Sequence, residues 1–208
     1  MTALAQEVIP VADEEPVSDL DEFLWQTWKA MVPPEGYRAE IIEGSIEVSP
    51  TGRRRHAVLI NRLRRELEAH LADTAFAAYQ DTNVVHRRRG WIPDLVISLR
   101  DLSEETWDED GLGVDASAVE TVVEVVSPGW RDTQRDRIRK RREYARAGIP
   151  LYVLIDDHDD DGVVVLLSEP DADKAAYAGE HRIPYGTDAV IPVGPAKGFV
   201  IGEAITKS

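Results

Sequence analysis

Two acidic residues stand where a folding chain ordinarily places apolar ones. Glu124 interrupts the run Val122-Val123-Glu124-Val125-Val126, and Asp94 opens the run Asp94-Leu95-Val96-Ile97 behind Pro93. A short valine-rich run reads as a buried central strand. A carboxylate inside one costs several kcal/mol unless something compensates it. Taken singly, Glu124 could belong to a buried ion pair or to a strand with one wet face, and Asp94 could be an ordinary turn or cap residue. Taken together, two carboxylates from neighbouring strand ends make an oxygen-ligand site suited to Mg2+ or Mn2+. The Val125 carbonyl could add a third oxygen, and water would complete the shell.

Lys140 supplies a cation of a different kind. Asp136, Lys140 and Tyr144 are spaced i, i+4, i+8 and so share one helix face. That spacing also suits a solvated stripe with an Asp–Lys pair. Yet Lys140 is the one lysine among the eight basic residues of 127–150, the other seven being arginines. A compact ammonium can sit beside an attacking water or a phosphate oxygen. Glu43 lies at the tip of the run Glu40-Ile41-Ile42-Glu43-Gly44, with Glu40 close by as the alternative acid. Simple turn chemistry would also account for Glu43. His56 follows Arg53-Arg54-Arg55 and reads as a surface or capping residue, or as a contact to phosphate or water.

The elements that must position these groups follow from pattern. Ser18 is placed to cap a helix over about 19–31, with Leu20, Phe23, Leu24, Trp28 and Met31 on one face, stopped by Pro33-Pro34. Two β-prone runs flank Glu43-Gly44 as a hairpin. Ile60, Leu63, Leu67 and Leu71 mark a helix over about 54–72. Residues 75–89 form one or two strands, WIPDLVISL another, and 101–118 an acidic loop. TVVEVVS is a buried strand, followed by a helix that ends at Gly148 and then the strand IPLYVLID. That crossover makes its two strands parallel. Antiparallel strands follow to the C-terminus. The expected fold class is mixed α/β, with residues 1–17 as a loose acidic tail and 18–208 as one domain.

Composition limits the chemistry. The absence of cysteine excludes a disulfide framework, a thiolate zinc site and a cysteine nucleophile. No secretory signal and no membrane-spanning run is evident, so a soluble cytoplasmic protein is expected. The net charge of −15 opposes tight nucleic-acid binding. The bases are concentrated, however, at +5 over residues 51–100 and +5 over 127–150, inside an otherwise acidic chain. Either they pair with acids on a solvated surface or they line a local groove for a polyanion.

The order of these features resembles the Uma2 (Uma-two) family over roughly residues 20–205. It runs Glu-Gly hairpin, basic segment with His, helix, Pro-Asp strand, Val-Val-Glu-Val-Val strand, Ser-Pro, Asp-x-x-x-Lys-x-x-x-Tyr, Ala-Gly-Ile-Pro and Tyr-Val-Leu-Ile-Asp strand. These are restriction-endonuclease-like bacterial proteins of the PD-(D/E)XK superfamily. The resemblance implies a central mixed sheet flanked by helices, with Asp94 and Glu124 binding the divalent metal. It implies that Lys140, on the following helix, replaces the lysine that simpler members carry two residues after the glutamate, where this chain has Val126. Glu43 (or Glu40) would be the first acid, and His56 matches a histidine of the family. The implied activity is Mg2+- or Mn2+-dependent endonucleolytic hydrolysis of phosphodiester bonds, in DNA first of all. Arg53, Arg54, Arg55, Arg87, Arg88 and Arg89 would flank the groove. The rival readings are a nuclease-fold protein that binds nucleic acid without turnover and a protein-interaction module. A homodimer would suit cleavage of both strands of a duplex.

Overall fold

The computed structural model describes residues 17–52 and 54–207. The expected tail at 1–17 therefore falls almost wholly outside the described residues. Helix α1 (Asp19–Ala30) is capped as expected, the Ser18 hydroxyl accepting from the Asp21 amide at 3.1 Å. Its buried face differs from the expected one. Leu20 and Phe23 are exposed, and Trp25 is fully buried, stacked on Trp28 with ring centroids 5.1 Å apart. The reason is the polar handle of the indole. Trp28 Nε1 donates to the Ala39 carbonyl at 2.8 Å and Trp25 Nε1 to Asp110 at 2.7 Å, so hydrogen bonds as well as apolar area choose the face.

Strands β1 (Tyr37–Ile42) and β2 (Ser45–Pro50) pair antiparallel across Glu43-Gly44. Both turn residues have positive φ, 47° and 71°, the geometry a two-residue hairpin requires. Helix α2 (Arg54–His70) buries Leu59, Ile60, Leu63 and Leu67 along one stripe. Full burial of such a side chain stabilises by roughly 1.5–3 kcal/mol. Strands β3 (Phe76–Tyr79), β4 (Val84–His86), β5 (Arg89–Trp91) and β6 (Leu95–Leu99) follow. The segment expected as a plain acidic loop contains two 3-10 turns and the short β7 (Val114–Asp115).

Strand β8 (Val119–Val125) runs through the middle of the main sheet. The following helix is broken in an informative way. It begins as α3 (Trp130–Gln134), widens into a π-helical turn over Arg135–Lys140, and resumes as α4 (Arg141–Arg146), with Gly148 beyond it at φ +72°. Then come β9 (Leu151–Asp156), β10 (Val163–Asp171), β11 (Ala176–Pro184), β12 (Ala189–Val190), β13 (Val200–Ile201) and α5 (Glu203–Thr206).

The main sheet has the order β11-β10-β9-β8-β6-β3. All its pairs are antiparallel except β8–β9, the parallel pair predicted from the crossover. Alternation on β8 sends Val123 and Val125 to the side packed by α2. Val122, Glu124 and Val126 go to the side packed by α4, where Tyr144, Ala145 and Ile149 lie. Among the described residues no helix is long and apolar enough to cross a membrane.

Candidate active site

The antiparallel register that pairs Leu95 with Val123 carries Asp94 to the position opposite Glu124, on the α4 side of the sheet. Both carboxylates are buried. Asp94 Oδ2 accepts from the Val125 amide at 2.8 Å and faces His56 Nε2 at 2.8 Å. His56 sits in the first turn of α2 with its ring against Gly52, where any Cβ would come within 2.2 Å of Nδ1. Glu124 Oε1 accepts from Lys140 Nζ at 2.8 Å and from the Tyr144 hydroxyl at 2.5 Å. The π-helical turn therefore delivers Lys140, and the next turn Tyr144, to the same oxygen. Tyr144 is held edge-on between Trp91 and Tyr152.

The acid that completes the cluster is Glu40. Its Oε1 lies 2.7 Å from Lys140 Nζ and accepts from the Ile92 amide at 2.8 Å. Arg38, two residues earlier on the same strand face, reaches Asp94 Oδ1 at 3.6 Å and Glu40 Oε2 at 4.0 Å. Lys140 is wholly buried between two glutamates that are each 1% exposed. Glu43, expected as the first acid with Glu40 as the alternative, is placed apart from this cluster. It stands at the hairpin tip, hydrogen-bonded to Arg139 and Arg142 with Arg146 3.7 Å away, and makes no contact with Lys140. Two charged residues on β1 separated by one were the available signal for Arg38 and Glu40.

Of the arginine blocks, expected either to pair with acids or to line a groove, several members are paired. Arg53 lies outside the described residues. Arg54 is exposed at the start of α2. Arg55 is committed to Asp157 and to the carbonyls of Thr206 and Lys207, Arg88 to Glu22 and Asp110, and Arg89 approaches Glu143. Arg87 and Arg88 form the β4–β5 turn with positive φ, 46° and 63°. These bases mostly join distant parts of the chain.

The electrostatics separate the carboxylates. Burial pushes the Glu124 carboxyl up to about 7, and neighbouring Asp94, Asp136 and Glu40 push the same way against the pull of Lys140. Burial also disfavours ionised Asp94, but the His56 hydrogen bond, the charges of His56 and Arg38 and the Val125 amide outweigh it and hold Asp94 low. Glu40 is likewise held low despite burial, by Lys140, Arg38 and the Ile92 amide. Lys140 is raised despite burial by Glu124 and Glu40, so it remains an ammonium. His56 is raised, its burial overcome by Asp94.

The donor set fits a hard divalent ion bound through few protein ligands. Asp94 and Glu124 are paired oxygen donors, and a carboxyl driven up by burial, with surrounding acids adding to it, is one that a cation would relieve. Among the described residues no group of three or more His, Asp or Glu side chains is arranged to hold a metal. Two carboxylates, water and a backbone oxygen would have to suffice.

The Uma2 family model, described as "Putative restriction endonuclease", matches residues 21–186. The chain belongs to the Uma2 family. A crystal structure titled as a "putative nuclease" from Anabaena variabilis superimposes with a TM-score of 0.63 at 17% identity, covering 90% of this chain and 96% of that one. The Uma2 fold expected from the residue order, a central mixed sheet flanked by helices, is thus the fold observed. No curated protein matches the chain.

Proposed function

We propose that this Uma2 chain, as one domain over 18–208, is a nuclease that hydrolyses phosphodiester bonds, DNA being the first substrate to test, with Mg2+ or Mn2+ as its ion. The observation that carries the reading is the Lys140 ammonium, fully buried and within 2.8 Å of both Glu40 and Glu124, on the strand face where register sets Asp94 opposite Glu124. A buried lysine among three acids is costly to build for stability alone. Its assembly makes sense where charge is handled.

Asp94 and Glu124 would hold the ion. When bound, the ion makes a coordinated water more acidic and offsets charge on the phosphoryl oxygens. Hydrolysis forms one P–O bond from the water oxygen and breaks the bond to the departing ester oxygen. The water loses a proton, and the leaving oxygen takes one up. Lys140, kept protonated by its two glutamates, acts as a donor rather than a base. It orients the water or a phosphoryl oxygen and stabilises charge as it develops. Glu40 aims and charges Lys140. His56 and the Val125 amide orient Asp94, and Tyr144 orients Glu124. Arg38 offers a second positive group beside Asp94.

The test is incubation of plasmid and single-stranded DNA with wild type, Asp94→Asn and Lys140→Ala, each with Mg2+ and with Mn2+. Calorimetric titration of Mn2+ accompanies it. The expected result is metal-dependent cleavage by wild type alone, with Mn2+ binding weakened in Asp94→Asn. Wild type that never cuts, or variants that cut equally well, would sink the assignment. Binding without cleavage would then favour the silent nuclease-fold reading.

A further inference from the structure

A groove of about 670 Å3 lies between β2 and the α3–π turn, bordered by Glu47, Ser49, Arg131, Asp132, Arg135 and Arg139. Three features make it a site for a ligand that only accepts hydrogen bonds. Ser49 is 8% exposed, and its hydroxyl has no hydrogen-bond partner among the described residues. Arg38, directly opposite Ser49 in the hairpin register, turns away from the groove, its Nε 4.0 Å from Glu40 Oε2 and its other end approaching Asp94. Buried polar atoms are normally satisfied, so the Ser49 hydroxyl calls for a partner. Arg131 is exposed and forms no ion pair among the described residues. The acids of the groove are already spoken for: Asp132 pairs with Arg135 at 3.0 Å and Glu47 pairs with Arg139. The surplus charge is therefore positive and belongs to Arg131.

One strand pair links the groove to the candidate active site. Arg38 and Glu40 point to the acid–lysine cluster, and their register partners Ser49 and Glu47 line the groove. We propose that Arg131 and Ser49 bind a backbone phosphate of the nucleic acid next to the one that is cut. This rests on the nuclease reading above. Contacts of this kind position the strand without reading sequence, so the groove would hold substrate irrespective of base.

The test measures binding of fluorescent single-stranded and duplex DNA, of one to two helical turns, by anisotropy over a salt series with Ca2+ present. Cleavage with Mg2+ is followed in parallel. The proteins are wild type, Arg131→Gln, Ser49→Ala and Arg65→Gln. Arg65 is an exposed arginine on α2, which covers the other face of the sheet. Arg131→Gln is expected to lower the slope of log K against log salt by about 0.9 on duplex or about 0.7 on single strand, the signature of one lost phosphate contact. Ser49→Ala is expected to weaken binding severalfold with no fall in melting temperature, because no protein hydrogen bond is lost. Arg65→Gln should leave the slope as in wild type. Arg131→Gln or Ser49→Ala binding like wild type, while wild type itself binds and cuts, would overturn the groove and leave the nuclease reading standing. Wild type that neither binds nor cuts would overturn both.

Discussion

Glu40 and Glu43 stand on one hairpin, one on the strand and one at its tip, and each is surrounded by cations. Glu40 is buried and shares a single lysine with Glu124. Glu43 is partly exposed and is gripped by Arg139 and Arg142, with Arg146 nearby. The difference lies in what the cation can do. Arginine's planar fork clamps a carboxylate in a fixed geometry, and Arg142 uses it bidentately, at 2.5 and 2.8 Å. Lysine is a compact point charge that two carboxylates can share and that a third anion could join. The arginine clamp rivets the hairpin to the helix. The lysine cluster is what that rivet holds in register.

The sharpest way to break this comparison is Lys140→Met. It leaves Glu40 and Glu124 buried without their shared cation, so the free energy of unfolding should fall by about 3–5 kcal/mol. Cleavage should be lost with it. Urea titration checks the stability, and adding Glu40→Gln in the same chain should restore part of it, because the two changes couple. A loss under about 1 kcal/mol would place the lysine cluster in the same class as an exposed ion pair.

Glu40→Gln alone separates chemistry from folding. The glutamine oxygen can still accept from the Ile92 amide and from Lys140, and Lys140 keeps Glu124. The expected result is a cleavage rate down by about 10- to 100-fold, as for loss of a group that orients a metal site or its neighbours. The melting temperature should change little. A variant that cuts at the wild-type rate would remove Glu40 from the machinery.

The same contrast shows how far the sequence could be read. Glu124, Asp94 and Lys140 were legible because each broke a pattern: an acid in a valine run, an acid opening a strand, one lysine among arginines. The choice between Glu40 and Glu43 was not. Residues 39–42 are all buried, because the hairpin is covered on both faces, and period-two alternation is thereby erased. The choice between pairing and a groove for the arginine blocks was not legible either, for a related reason. A local charge count cannot see that Arg55 answers Asp157, 102 residues away, or that Arg88 answers Glu22, 66 residues away. The hairpin, the α2 stripe and the parallel crossover were legible from period and turn chemistry. The π turn was not, since it answers to Tyr152, which donates to the Asp136 carbonyl at 2.9 Å, and to Glu124 beneath it.

Titration should sharpen the comparison with opposite signs. Glu124 is raised by burial to about 7 from 4.5. A raised carboxyl contributes stability that is present below the unfolded value and lost as pH rises through the folded one. In metal-free protein with chelator, wild type should therefore lose stability relative to Glu124→Gln as pH rises from about 4.5 to about 7, with a slope of at most about 1.4 kcal/mol per unit. Glu43 is held low, first by the Arg142 hydrogen bond. Its contribution is present above its unfolded value and lost only as pH falls through the depressed one. Denaturant midpoints of the two glutamine variants against wild type, measured across pH, read both signs. Curves that run parallel for Glu124→Gln and wild type would mean that burial does not strain Glu124.

The smallest effect should come from Glu43→Gln. Its arginine partners are between about a quarter and a half exposed, so water screens the charges and the pairs are worth at most about 1 kcal/mol. Glutamine keeps one acceptor for Arg142 or Arg139, and Arg139 retains the Ile42 carbonyl at 2.8 Å and its pair with Glu47. The hairpin thus stays fastened and Glu40 stays in place. Cleavage should match wild type, with a melting temperature lower by no more than a few degrees. Replacing Glu43 with lysine asks more of the tip, because it sets a fourth cation among Arg139, Arg142 and Arg146. If the clamp serves only to hold register, that variant should lower stability and leave the pH dependence of cleavage unchanged. A shifted pH profile in either variant would mean that the tip glutamate shares in the chemistry, and the division between rivet and cluster would fall.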